Sequence, residues 1–423
     1  MHLGRHPTGI PETIDSREYS PAEIWQETVE KAIREKVDLV VLTGDVLDDR
    51  SSYYEGFGDF ETGMKKLSSK GIPLYAISGN HDFDLLPELV DNLDGYGLRQ
   101  LGTGGVWSSA TLEPDGKPVL RVFGWSYPRR HVKKNPAQLL DPVPKDDLPA
   151  LGLLHTEPGS KNSPYAPVDL TDLEKTGINT WVLGHLHRPE LRKKGNITYL
   201  YPGSLQPLDS SETGVHGPWI LTLNEEGLTG TEQMPLSSLR YERVTIETDD
   251  MDDVNQIPTR FYEKIEALVE EESFSGLEIV VATIELTGRT TIFSEIKEEL
   301  PRMSRGLNRN VQGTDIGIYT ILNNTRPPIN LSRVASGQNP AAVLAQLLIK
   351  LESGDEAEIP EELVDKTQSA LTEAYFANAY SALRAEGSQD RPEREVTAEV
   401  LRRQGWRILE NLLSQQEDFH GQK

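Results

Sequence analysis

The chain alternates short apolar runs with longer mixed stretches, and several apolar runs end in a polar cluster. Residues 37–43 read as a buried strand leading into Gly44-Asp45, and residues 73–78 as a second leading into Asn80-His81. Later runs predict strands at 120–127, 151–154, 180–183, 198–201 and 219–223. Ser20-Pro21-Ala22-Glu23 is a helix start, with Ser20 as N-cap, Pro21 in the first turn and Glu23 completing a capping box; that helix runs to about Lys36. A second helix, 57–70, ends at Gly71-Ile72-Pro73, a C-cap followed by a breaker. Strands and helices alternate early, and short strands dominate later. That predicts an α/β mixed-sheet sandwich rather than a simple doubly wound sheet.

The acidic cluster Asp249-Asp250-Met251-Asp252-Asp253 marks a boundary. Beyond it a helix (261–271), a strand (277–285), a helix (292–303) and a strand (315–322) form a small α+β module. Residues 325–340, rich in Pro, Asn and Gly, read as a linker. Helices are expected at 341–351 and 361–385, and Pro392 opens a last one over 393–415. The expected organisation is therefore a first domain at 1–240, a module at 241–325 and a helical segment at 341–423. In the helical segment, Ala341, Val343, Leu344, Leu347 and Leu348 fall at helical spacing, and Leu401, Trp406, Ile408, Leu409, Leu412 and Leu413 form a second apolar set. These faces either dock a partner or pack together as a self-contained hairpin.

Composition narrows the class. Length alone suggests two or three domains of roughly 150 residues. There is no cysteine, so neither a disulfide framework nor a thiolate metal site is available. No apolar run approaches the ~18 residues of a membrane span, and no signal pattern opens the chain. A cytoplasmic protein is expected. The net charge is -24, and both sides of residue 240 are acidic, so neither is a basic nucleic-acid binder in bulk. Any DNA substrate would be held by metals, by local basic loops or by a partner. One such loop contains Arg129, Arg130, Lys133 and Lys134; with Arg192-Lys193-Lys194 it either contacts phosphates or is simply solvated.

The chemistry sits in four motifs just past predicted strand ends, where an α/β sheet collects its ligands. They are Gly44-Asp45-Val46-Leu47-Asp48, Gly79-Asn80-His81-Asp82, His155 in Gly152-Leu153-Leu154-His155-Thr156, and Gly184-His185-Leu186-His187. This is the mixed oxygen and nitrogen donor set of a two-metal hydrolase in which one carboxylate bridges both ions. Asp45 is the natural bridge and Asn80 offers a neutral amide oxygen. His155 and His185 complete one ion; His187, two residues along, turns toward the neighbouring ion, which His2 would also serve. His81 suits stabilisation of transition-state charge or protonation of the leaving group, with Asp82 as its orienting partner. Asp48 supports the ligands from behind or caps a helix. His6, His131, His216 and His420 read as surface residues.

Together these motifs resemble the calcineurin-like metallophosphoesterases and, within that superfamily, the SbcD-like DNA repair exonucleases of the YhaO-type branch. Further likeness lies in His2-Leu3-Gly4, in Arg188-Pro189, in Tyr201-Pro202-Gly203-Ser204 and in the stretch from Gly159-Ser160-Lys161 to Tyr165-Ala166-Pro167. It covers residues 2–240, and extends weakly over 281–289 into the family's capping domain. The resemblance implies a metal-dependent DNA phosphodiesterase with two divalent ions, usually manganese. His2, Asp45 and His187 would hold one ion; Asp45, Asn80, His155 and His185 would hold the other; His81 would be the catalytic histidine. It also implies an SMC-like coiled-coil ATPase partner docked through helices after the capping domain, and leaves room for a homodimer. Two rivals stand beside it: a phosphoesterase for a small nucleotide or phosphoprotein, and a non-catalytic scaffold regulating an ATPase. Some relatives carry a second catalytic histidine where this chain has Asp48.

The family's site uses one more Asp, two residues before an N-terminal His, and His2-Leu3-Gly4 reads as the second half of an Asp-x-His-Leu-Gly motif. We expect the coding DNA upstream of Met1 to continue in frame and to end in Asp-x before His2. A stop codon directly upstream would refute this and favour the regulatory reading.

Overall fold

The computed structural model describes residues 1–11, 14–143, 148–159, 163–225, 227–270, 276–353, 359–376 and 394–420. They divide into two compact units. The first comprises Met1–Glu247, Asn255–Leu286 and Glu298–Asn324; the second comprises Thr248–Val254, Thr287–Lys297 and Thr325–Lys423.

The first unit opens with α1 (Pro21–Glu35), β1 (Val40–Thr43), α2 (Arg50–Ser69), β2 (Leu74–Ile77), α3 (Leu85–Asn92) and β3 (Leu98–Gln100). The three strands form a parallel sheet, β1-β2-β3. Next come β4 (Ser108–Leu112), β5 (Leu120–Trp125), β6 (Ala150–His155), α4 (Leu170–Lys175), β7 (Thr180–Gly184), β8 (Glu190–Lys194) and β9 (Ile197–Tyr201). They make a second sheet in the order β4-β5-β6-β7-β9-β8, parallel at its centre and antiparallel at both edges. The sheets face each other, β1 against β6 and β7, and β2 against β5 and β6. Tyr75, Ile77, Leu101, Val122, Leu151, Leu153 and Val182 fill the space between them. Trp25, Phe60, Met64, Leu67 and Leu86 pack α1, α2 and α3 on the outer face of the small sheet. Trp125, Tyr127, Leu173 and Trp181 form the core outside the large one. The sandwich is thus the expected mixed α/β architecture, with apolar side chains alternating between two buried faces.

Local boundaries show which signals mattered. α1 begins at Pro21 and ends at Lys36, whose φ is +54°, but the Ser20 side chain makes no capping bond. α2 starts seven residues earlier than expected because Asp49 caps it, accepting from Ser52 N at 2.9 Å. Gly56 lies inside α2, where a Cβ would collide with Leu3. The basic stretch Arg192-Lys193-Lys194 is an exposed edge strand, where charged side chains guard unpaired backbone.

A hairpin, β10 (Trp219–Asn224) with β11 (Gly227–Gln233), follows. After it come β12 (Leu239–Glu247), α5 (Gln256–Glu270), β13 (Ile279–Thr287), α6 (Phe293–Gly306), β14 (Arg309–Val311) and β15 (Thr314–Asn323). The four strands form one sheet, β12-β13-β15-β14. Leu239, Tyr241, Ile279 and Val281 of this sheet bury Ile10, Ile14 and Tyr19 from the N-terminal segment.

The second unit holds α7 (Leu331–Ala335), α8 (Pro340–Glu352), α9 (Glu361–Phe376) and α10 (Arg394–His420). The expected linker is therefore partly helical. Its asparagines are caps: Asn330 accepts from Arg333 N and Asn339 from Ala342 N, each at 2.9 Å. Residues 377–393, including the end of the predicted 361–385 helix and Pro392, lie outside the described residues. Ala345, Leu348, Leu351, Val364, Trp406 and Leu409 pack into a core of this unit's own. Arg289 lies over the Trp406 ring at 3.2 Å from its centroid. Most of the two apolar sets named from the sequence are consumed by this packing, while Val343 and Ile408 stay exposed.

Candidate metal centre

The turns that follow β1, β2, β6 and β7 converge, as the strand ends predict. Among the described residues, seven non-glycine residues have positive φ, and three of them are the expected ligands His2, Asp45 and His185, at +56°, +51° and +94°. Such backbone is disfavoured for side chains larger than Gly and clusters where function imposes it. Gly79 has no room for a Cβ, which would meet the Asp45 carboxylate and the His155 ring.

Asp45 is the hub. Its Oδ2 lies 3.2 Å from His155 Nε2 and 4.0 Å from His2 Nε2, so one oxygen faces both expected ion positions. Its Oδ1 accepts the His81 backbone N–H at 3.1 Å. Burial works to raise the Asp45 carboxyl, but His155, His2 and His81 outweigh it and hold it below the usual carboxylate range.

The imidazole protons can be assigned from their partners. His155 Nδ1 is 2.8 Å from Thr43 O, and a carbonyl only accepts, so Nδ1 carries a hydrogen. Its Nε2 faces Asn80 Oδ1 at 3.1 Å and Asp45 Oδ2 at 3.2 Å. Burial opposes a second proton on this ring, but Asp45 outweighs it and raises the His155 pKa, so the three atoms meet where a proton or a cation is needed. His2 Nδ1 donates to Asp48 Oδ1 at 3.1 Å and His187 Nδ1 to Glu212 Oε1 at 2.8 Å. Their Nε2 lone pairs face each other at 3.1 Å. Ligand atoms of His2, Asp45 and His187 all fall within 4.8 Å of one another. Buried lone pairs repel unless a cation lies between them, so this donor set fits a pair of divalent ions. Burial lowers the His2 pKa to about 4. Burial, then His155, lowers that of His185 to about 3. Neutral imidazoles are what metal ligation requires. The His185 ring lies 5.3 Å from that of His155, with the Tyr165 ring 4.9 Å away on it.

His81 stands at the rim, 30% exposed. Its Nδ1 lies 2.9 Å from Asp48 Oδ1, an oxygen it shares with His2. The hydrogen bond to Asp48 raises the His81 pKa against the pull of burial, and Arg130 is near enough to oppose the rise. Hydrogen bonds from His2 and His81 hold Asp48 well below the usual range.

The structure corrects two expectations. Asp82 does not orient His81. It is fully buried and turned inward, its Oδ2 accepting from Val46 N at 2.8 Å and its Oδ1 from Gly79 N at 2.7 Å. Asp82 thus clamps the two ligand turns together, and Asp48 takes the orienting position. Burial and then Asp45 push the Asp82 pKa up to about 6. His216, expected at the surface, is buried, with Nδ1 donating to Ser204 O at 2.8 Å. His6 and His131 are exposed as expected, and the side chain of His420 lies outside the described residues. So do residues 160–162 of the stretch quoted for its family likeness. Arg129, Arg130, Lys133 and Lys134 are all exposed, and Arg129 Nε donates to His131 O at 3.2 Å. Glu212 was not foreseen: it lies 25 residues after His187 in a turn-like stretch without a motif.

Comparison with known proteins is consistent with this donor set: residues 6–189 match the calcineurin-like phosphoesterase family model. The chain is similar to the uncharacterised metallophosphoesterase YhaO of Bacillus subtilis, at 28% identity over 52% of this chain and 55% of the relative. It is also similar to the DNA double-strand break repair proteins Mre11 of Aeropyrum pernix (26%, over 51% and 54% of the two chains) and Methanococcus maripaludis (26%, over 50% and 58%). The chain spans about half the length of the curated relatives it matches.

The clamp reading of Asp82 makes a distinct prediction. Asp82→Ala orphans two buried N–H groups, each costing about 1–3 kcal/mol. Chemical denaturation will show lower stability, and manganese titration weaker binding. Unchanged stability with only a slower reaction would return Asp82 to the role of partner for His81.

Proposed function

We propose that this protein is a metal-dependent DNA phosphodiesterase, a nuclease subunit of DNA repair. The carrying observation is the set of lone pairs around Asp45, split into two groups that share one carboxylate oxygen, with His81 exposed beside them. Two divalent ions, manganese by the family resemblance, would neutralise phosphoryl oxygens and activate water for attack. His2, Asp45 and His187 would hold one, and Asp45, Asn80, His155 and His185 the other.

The chain's own residues supply the rest. Asp48 accepts from His81 Nδ1 and so fixes the ring in place. Because Asp48 also favours the charged form of His81, the imidazolium is available to stabilise charge on the phosphoryl group or to protonate the leaving oxygen. Exposed Arg130, near enough to influence His81, together with Arg129, Lys133 and Lys134 offers phosphate contacts in an otherwise acidic protein. The relatives named as DNA double-strand break repair proteins support DNA over a small phosphoester. The SMC-like ATPase implied by the family resemblance would meet the second unit through apolar side chains its core leaves outside, such as Val343 (69% exposed) and Ile408 (50%).

Asp45→Ala will abolish manganese binding and hydrolysis together. His81→Ala will retain metal while the rate on DNA falls about 10²–10⁴-fold. Metal loss equal in both variants would make His81 a ligand, and faster turnover of a small chromogenic phosphodiester than of single- or double-stranded DNA would favour the small-substrate rival. For the partner, Val343→Glu with Ile408→Glu will reduce co-purification of the ATPase without lowering basal hydrolysis; unchanged binding places the docking surface elsewhere.

A further inference from the structure

His187 is held from behind by a polar cluster that no sequence motif announces. Glu212 is 3% exposed, and both of its oxygens are engaged. Oε1 takes the Nδ1 proton of His187 at 2.8 Å. Oε2 accepts from Ser204 Oγ and from Leu208 N, the latter at 3.2 Å. Ser204 closes the loop by donating its N–H to His187 O at 2.8 Å. His216 secures Ser204 in turn, with Nδ1 2.8 Å from its carbonyl oxygen and 3.1 Å from its hydroxyl.

The loop carrying these groups is tied to the four-stranded sheet. Tyr241 of β12 receives the Gly214 N–H at its carbonyl, at 3.1 Å, and its hydroxyl donates to Thr8 O at 2.5 Å, with Leu208 O 3.4 Å away. Thr8 N also donates to Leu208 O at 2.9 Å. The segment that follows His2 and the loop that braces His187 are therefore fastened to each other and to one buried tyrosine.

We propose that Glu212 is the positioning residue for one ion of the pair, the one served by His2, Asp45 and His187. It fixes the proton of His187 on Nδ1, so that the Nε2 lone pair is presented toward His2 and Asp45. The second ion position, formed by Asp45, Asn80, His155 and His185, makes no use of Glu212; there Thr43 O holds the His155 proton. The cluster thus braces one ion position and not the other. This rests on the two-ion reading above, and the experiment separates the two. Carboxylates that accept from a ligating histidine typically change metal affinity 10–100-fold when removed.

The test is manganese titration of the full chain by calorimetry and electron paramagnetic resonance. The unaltered protein will bind two ions. Glu212→Gln will weaken one of them about 10–100-fold and leave the other within about twofold, with an unchanged circular dichroism spectrum. His187→Ala will weaken the same ion, and the double variant will lose little more than His187→Ala alone, because the two side chains act as one unit. If Glu212→Gln does not fold, Ser204→Ala, which removes one donor to Oε2, will show a smaller weakening of the same ion. The inference is overturned if the variant binds both ions as the unaltered protein does, if both weaken equally, or if its loss adds in full to that of His187→Ala. An unaltered protein that binds fewer than two ions refutes the two-ion reading itself, and this inference with it.

Discussion

Much of the structure is organised around a single electrostatic problem: too many buried acceptors in one place. Asp45 Oδ2, Asn80 Oδ1 and the Nε2 atoms of His2, His155 and His187 converge, all of them on buried side chains except the partly exposed His187. Unneutralised, such a cluster is expensive to bury. The pair of cations proposed above would turn the same repulsion into binding, and the rest of the site holds the acceptors in place.

Four of the imidazoles are held by a proton-bearing nitrogen, from three different parts of the chain. Thr43 O, at the end of β1, holds His155; Asp48, in the next turn, holds both His2 and His81; Glu212, in a distant loop, holds His187. Asp82 fixes the spacing of the Asp45 and Asn80 turns by accepting one backbone N–H from each. The left-handed backbone of His2 and Asp45 is held against its natural preference by this network. The turns that carry these side chains are tied to one another, while His81 keeps an exposed edge.

The two compact units solve separate packing problems. In the first, two sheets bury one another and their helices, and the strand ends are left to carry chemistry. In the second, four helices close on Trp406 and Leu348, so the apolar helical faces are spent largely on an internal core. Sequence periodicity reports that a face is apolar. It does not report what covers it.

The sequence by itself determined the sandwich class, most strand positions and which residues meet at the strand ends, because strands announce themselves by local apolar runs and their C-terminal turns carry distinctive residues. Asp45, Asn80, His155, His185 and His187 were legible in this way. The start of α2 was not, since the Asp49 side chain that caps it declares itself only in the folded turn. Only the tertiary structure decided between Asp48 and Asp82 as the partner of His81, because adjacency along a turn says nothing about where a carboxylate points. Only it brought Glu212 and His216 to the metal centre, and only it showed the apolar helices covering one another. Local pattern fixes which groups a chain possesses; which donor meets which acceptor depends on loops closed over tens to hundreds of residues, and that is settled by packing alone.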